Sequence, residues 1–131
     1  MSRSGLDARG LPAGYPFRAD WEVTPREAKI DVSKGEQERP LLLDCRRDDE
    51  WGLCRIEGAV HIPLSEIERR ADELEDDEGG RDRPVIVYCH HGQRSLRVAA
   101  ALRAMGFSSV RSMAGGIELW SVDVDPEVPR Y

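Results

Sequence analysis

The chain has no apolar run approaching the ~18 residues that cross a membrane. Its longest apolar blocks, Pro40–Leu43 and Val98–Leu102, are core-sized. The first twelve residues carry Arg3, Asp7 and Arg9 and lack an apolar h-region, so no secretory signal is expected. An excess of positive charge is also missing. Nineteen basic residues against 25 acidic ones give a net charge of −6, and nucleic acid, which is bound through a basic footprint, is not an expected partner. Cysteine is scarce and odd in number. Cys45, Cys54 and Cys89 cannot form a disulfide framework, and all three read as reduced thiols of a cytoplasmic protein. No Cys-x-x-Cys pair is present, and His90-His91 are adjacent, a poor spacing for chelation; no metal or cofactor is expected. What remains is 131 residues with 40% apolar content, the size of a single domain able to bury one core without staples.

The charges that are present are unevenly placed. Glu66 to Asp82 holds nine acidic residues, whereas Pro84 to Ile117 holds none and carries Arg94, Arg97, Arg103, Arg111, His90 and His91. One acid-free, arginine-bearing stretch in an acidic chain suits the local reception of a small anion. Arg97, Arg103 and Arg111 read as solvent-facing residues of a helix and a strand, leaving Arg94 as the candidate anion ligand.

Residues 1–20 contain Gly5, Gly10, Pro12, Gly14 and Pro16 with little periodicity, which reads as an extended arm held by Tyr15 and Phe17. The domain proper is read as residues 21–131. Trp21-Glu22-Val23 suits a short edge strand. Thr24-Pro25-Arg26-Glu27 has the N-cap, first-position proline and capping-box glutamate of a helix start, with an end near Gly35. Leu41 to Asp44 and Val85 to Tyr88 are apolar runs of strand length, and Gly58 to Pro63 is a further short strand. Ser65 to Leu74 reads as one helix through Leu64, Ile67, Ala71 and Leu74. Ser95 to Met105 reads as another, ending at Gly106, before a last strand over Ser109 to Met113. Strands alternating with helices predict an α/β domain with a mostly parallel sheet.

The chemistry concentrates in Val85-Ile86-Val87-Tyr88-Cys89-His90-His91-Gly92-Gln93-Arg94-Ser95. A buried strand delivers Cys89 into a loop, and a helix follows. Ligands of open parallel sheets bind at the carboxyl ends of strands. The helix start offers unpaired N–H groups, Gly92 lets the backbone turn them inward, and Arg94 adds a forked positive charge. Each favours thiolate over thiol, making Cys89 a candidate nucleophile with a depressed pKa.

With these residues in hand, the chain resembles the rhodanese family of sulfurtransferases, in its single-domain form. The matching segments are Leu43-Asp44-Cys45-Arg46, Ile56-Glu57-Gly58-Ala59-Val60-His61-Ile62-Pro63, the loop from Cys89 to Ser95, and Gly115-Gly116-Ile117-Glu118-Leu119-Trp120. The arm around Tyr15 to Pro25 and the ending Asp125 to Tyr131 look like rhodanese modules found alone or fused to enzymes that activate sulfur-carrier proteins. The resemblance implies a parallel five-stranded sheet flanked by helices on both faces. It also implies a ping-pong transfer of sulfur through a Cys89 persulfide, from thiosulfate or a similar anionic donor to a thiol or cyanide acceptor, or to a sulfur-carrier protein. Cys89 and Arg94 are then the expected catalytic residues. His90, His91, Gly92, Gln93 and Ser95 form the persulfide-binding loop, and Asp44 and Arg46 are structural neighbours.

The chain also departs from the family pattern. Cys54-Arg55 stand where the family usually has Gly-His, and Cys45 stands where valine is common; either cysteine could act as a resolving thiol, but packing is the preferred reading of both. His90 and His91 could tune the loop or shuttle a proton, but the preferred reading is of exposed loop residues whose backbone matters more than their rings; Trp120 reads as core. Two other function classes are a persulfide-carrying or binding module that serves a protein partner, and a cysteine-dependent phosphatase of the cell-cycle type. The phosphatase loop is one residue longer between cysteine and arginine. The four residues from His90 to Gln93 make a tighter ring, which suits a sulfane sulfur and disfavours a phosphoryl group.

Overall fold

The computed structural model describes residues 3–131. Five strands, β1 (Glu22–Val23), β2 (Leu41–Asp44), β3 (Val60–His61), β4 (Val85–Tyr88) and β5 (Val110–Met113), form one all-parallel sheet in the order β1-β5-β4-β2-β3. The central strands are apolar on both faces because both faces are covered. Leu43, Cys45, Val85, Val87 and Cys89 pack with Ile67, Ala71, Val98, Ala99 and Leu102 on one side. Leu42, Ile86, Tyr88 and Met113 pack with Ala28, Ile117 and Trp120 on the other. The helices behind these faces are α3 (Ile67–Arg70) and α4 (Gln93–Ala104) on the first side, and α1 (Pro25–Val32) and α5 (Gly116–Asp123) on the second. The expected five-stranded α/β architecture is therefore the one observed.

The signals for α1 act as read. Thr24 Oγ1 accepts the Glu27 N–H at 3.1 Å, and the Glu27 carboxylate accepts the Thr24 N–H at 2.9 Å. The segment expected as one helix over Ser65 to Leu74 is instead broken. A 3₁₀ turn spans Leu64–Glu66, α3 is one turn long, and a second 3₁₀ turn spans Ala71–Leu74. The anchors Ile67, Ala71 and Leu74 are still buried. Leu64 and Ile67, and again Ala71 and Leu74, are three residues apart, the spacing that a 3₁₀ turn brings onto one side. A helix absent from the sequence reading, α2, spans Asp48–Leu53; Asp48, Asp49 and Glu50 fill its first turn, where the dipole favours acids.

Arg97 and Arg111 are exposed as expected, but Arg103 is a clamp rather than a solvated charge. Its guanidinium donates to the carbonyls of Val110 and Asp20 and lies 3.8 Å from the Trp21 ring centre. The arm lies against the domain: Leu11 is fully buried with Ala114 and Leu119. Among the described residues no helix is long and apolar enough to cross a membrane.

Candidate active site

β4 ends at Tyr88, and Cys89 follows at the carboxyl edge of the sheet, 1% exposed. The chain then reverses into α4 through Gly92, whose φ of 103° lies in the left-handed region that residues with a Cβ avoid. That turn aims two backbone N–H groups at the sulfur: Gly92 N–H at 3.1 Å and Ser95 N–H at 3.3 Å. The Ser95 hydroxyl is also 3.3 Å from Cys89 Sγ, and it is 2.7 Å from the hydroxyl of Ser112, fully buried on β5. With Ser112 donating to Ser95, the Ser95 proton is free to point at the sulfur.

The Cys89 thiol is held well below its ordinary pKa. The largest cause is a hydrogen bond from the Cys45 thiol, followed, against the opposing effect of burial, by the Ser95 side chain and the N–H groups of Ser95 and Gly92. Cys45 is correspondingly pushed up, by its hydrogen bond to Cys89 and then by burial. Cys45 packs in the core as expected, and strand register sets it beside the candidate nucleophile.

Arg94 is placed at this loop but is not a free anion ligand. Its two terminal nitrogens donate to the two carboxylate oxygens of Glu50 on α2, at 2.6 and 2.9 Å. Glu50 is 3% exposed, and its pKa falls to about 2, chiefly through the Arg94 bond. The stretch free of acid along the chain thus meets an acid in space. Glu50 also accepts the Tyr131 hydroxyl at 2.7 Å.

Asp44 and Arg46 lie below this pair, both fully buried, with two guanidinium nitrogens of Arg46 on the Asp44 carboxylate. A third nitrogen of Arg46 donates to the Tyr131 hydroxyl at 2.8 Å. The Tyr131 ring stacks on His90 at 3.9 Å between centres, and His90 stacks in turn on His91. His90 is therefore half-buried, while His91 and Gln93 are exposed. Burial, followed by the neighbouring His91, lowers the His90 pKa. On the far side of the loop, the Tyr15 hydroxyl accepts the Gly115 N–H at 3.2 Å and donates to the buried Glu22 at 2.8 Å. Cys54 lies away from the sulfur, donating to the Pro129 carbonyl at 3.4 Å.

Glu50, Ser112, Tyr15 and Tyr131 were not among the expected site residues. Among the described residues no cluster of three or more His, Cys, Asp or Glu side chains offers a metal site. A groove of about 880 Å³ between α1, β2, β3 and the segment around Val128 contains no residue of the Cys89 loop. The candidate site is instead one buried sulfur that receives two backbone N–H groups, with the paired Arg94 and Glu50 beside it.

The chain belongs to the rhodanese-like domain family, whose model matches residues 24–123. It is 36% identical over 133 residues to the maize adenylyltransferase and sulfurtransferase MOCS3-1, spanning all of this chain and 28% of that protein. It is 38% identical over 81 residues to the putative sulfur carrier protein YrkF of Bacillus subtilis, covering 61% of this chain and 40% of that one. Among solved structures, the human single-domain sulfurtransferase TSTD1 superposes with a TM-score of 0.65 at 25% identity, over 76% of this chain and 93% of that one. The chain spans under a third of the maize relative's length.

Proposed function

We propose that the protein moves sulfane sulfur through a persulfide on Cys89. The observation that carries this reading is the pair of N–H groups, from Gly92 and Ser95, aimed at one buried sulfur. Preorganised donors of this kind stabilise an anionic sulfur without reorganising during the reaction. The Cys89 thiolate attacks the outer sulfur of thiosulfate or a similar donor. The donor S–S bond breaks, and sulfite leaves with the electron pair. An acceptor thiolate, or cyanide, then attacks the outer sulfur of the persulfide, and Cys89 leaves as thiolate. The loop from His90 to Ser95 holds the persulfide, with Arg94 at its mouth. Residues 21–131 carry the chemistry, the described part of the arm braces it, and the three free thiols suit a reduced, cytoplasmic setting.

A second reading within the same chemistry is a persulfide carrier that serves a protein partner. The Glu50 carboxylate filling the Arg94 fork favours it, because an anionic donor must compete with an ion pair already made. The relatives named for adenylyltransfer and sulfur carriage support a place in a sulfur relay. Mass spectrometry of the protein with and without thiosulfate tests the common step. One added sulfur on the Cys89 peptide is expected, and its absence with every donor, including persulfides, overturns the reading.

A further inference from the structure

We propose that Cys45 is a resolving thiol: it attacks the inner sulfur of a Cys89 persulfide, forming a Cys45–Cys89 disulfide and releasing the outer sulfur as hydrosulfide. The proposal rests on the sulfur-transfer reading and adds a second activity to it, the reductive discharge of bound sulfur when no acceptor arrives.

Register places the two cysteines together. Asp44 stands opposite Tyr88 at the ends of β2 and β4, and the Cys45 N–H donates to the Tyr88 carbonyl at 3.1 Å. The parallel ladder therefore continues one residue past both strands and sets Cys45 beside Cys89. The alternation along each strand turns both side chains to the same face, where Leu43, Cys45, Val87 and Cys89 share one core. Neighbouring strands run ~4.8 Å apart, inside the ~4.4–6.8 Å range of Cα separations that a disulfide spans. Cys45 is 1% exposed. Among the described residues, the electrophilic sulfur that register places within its reach is one carried by Cys89.

The step balances without an outside oxidant. The Cys45 S–H proton passes to the departing sulfur, the bond between Cys89 Sγ and the outer sulfur breaks, and the bond between the two Sγ atoms forms. The sulfane sulfur is reduced to hydrosulfide, and the two cysteines are oxidised to the disulfide. The N–H groups of Gly92 and Ser95 hold Cys89 Sγ, the sulfur on which the attack falls. Two equivalents of a small-molecule thiol return the dithiol by exchange. The hydrogen bond to Cys89, and then burial, keep Cys45 protonated, so discharge is slow beside transfer to an acceptor thiolate.

The test loads wild type, Cys45→Ser, Cys45→Val and Cys54→Ser with thiosulfate, removes the excess, and incubates each anaerobically without acceptor. Intact mass and released sulfide are followed. Wild type and Cys54→Ser are expected to lose the added sulfur, release matching sulfide and arrive at the reduced mass less two hydrogens. A nonreducing digest then yields a linked Cys45–Cys89 peptide. Both Cys45 variants are expected to keep their persulfide with a lifetime longer by about tenfold or more. Equal persulfide lifetimes in wild type and the Cys45 variants, or sulfide release with no linked peptide, overturn the proposal while leaving sulfur transfer standing. Failure of folded wild type to take up sulfur from any donor overturns both.

Discussion

Two corners of the sheet are built alike and used differently. After β4 the chain turns through Gly92 into α4, and after β5 it turns through Gly115 into α5. Both are buried parallel strands followed by a left-handed glycine and a helix start. At the first corner the helix-start N–H groups face the Cys89 sulfur. At the second they are spent on the first: Ile117 N–H donates to the Cys89 carbonyl at 2.9 Å and Glu118 N–H to the His90 carbonyl at 3.1 Å. A strand, a glycine and a helix start therefore do not define an anion site. What defines it is which atom receives the N–H groups, and the β5 corner acts as a backbone clamp that shapes the β4 corner.

Four perturbations break or sharpen this contrast. The largest effect is expected from Cys89→Ser, which should abolish sulfur transfer from every donor while thermal unfolding stays near wild type. The Cys45→Ser, Cys54→Ser double variant, by contrast, should retain most of the transfer rate, because a serine hydroxyl at position 45 can still donate to Cys89; a dead but folded double variant would show that a second thiol takes part in transfer.

Gly116→Ala should rank next, and should act on the fold. A Cβ there lands against the carbonyls of Cys89 and His90 at a φ of 62°, and left-handed backbone plus steric conflict should destabilise by about 3–5 kcal/mol. Gly92→Ala, whose Cβ meets the Gly115 nitrogen at 3.1 Å, should cost less stability, about 1–3 kcal/mol, and proportionally more activity. Chemical denaturation beside turnover rates separates the two. If Gly116→Ala were as stable as wild type, the clamp would carry no energy.

Arg94→Lys comes third. One ammonium cannot make the paired bonds to Glu50, so the mouth of the loop loosens, and kcat/KM for thiosulfate should fall by about 2 kcal/mol in transition-state terms. Unchanged kinetics would put the whole anion site on the backbone N–H groups. The smallest effect is the pH dependence of alkylation by iodoacetamide. A group whose pKa is depressed is ionised above that pKa, so Cys89 should react at pH values where a free thiol of pKa ~8.5 is protonated, with reactivity falling only as pH drops through the lowered value. A midpoint at or above the free-thiol value would mean that burial outweighs the donors.

The elements that define the fold were readable because their signals are local. Val85-Ile86-Val87-Tyr88 is apolar at every position, since both its faces are covered, and Thr24-Pro25-Arg26-Glu27 writes a helix start within one turn. The Cys89 loop was readable for the same reason: Gly92 and Ser95 act within six residues of the sulfur. The remaining parts of the site are matters of tertiary contact. Glu50 reaches Arg94 from 44 positions earlier, and Ser112 reaches Ser95 from the next strand. The position of Cys45 beside Cys89 depends on sheet register, which no residue in either segment encodes alone. The single helix expected over Ser65 to Leu74 breaks at the pairs Leu64–Ile67 and Ala71–Leu74, whose three-residue spacing suits a 3₁₀ turn as well as an α-helix.

Tyr15 and Tyr131 hold the Cys89 loop from opposite sides, one from the arm and one from the tail. In mechanical terms they make the site the joint through which tension would pass. A pull applied at Tyr15 and Tyr131 themselves bears on Gly115 and Glu22 at one end and on Arg46, Glu50 and His90 at the other. The β2–β4 ladder lies further along the load path, with four paired residues sharing the force. Stretching between these two attachments should therefore quench thiol reactivity before the sheet gives way, and a macromolecule tethered to both segments would hold a lever on the sulfur.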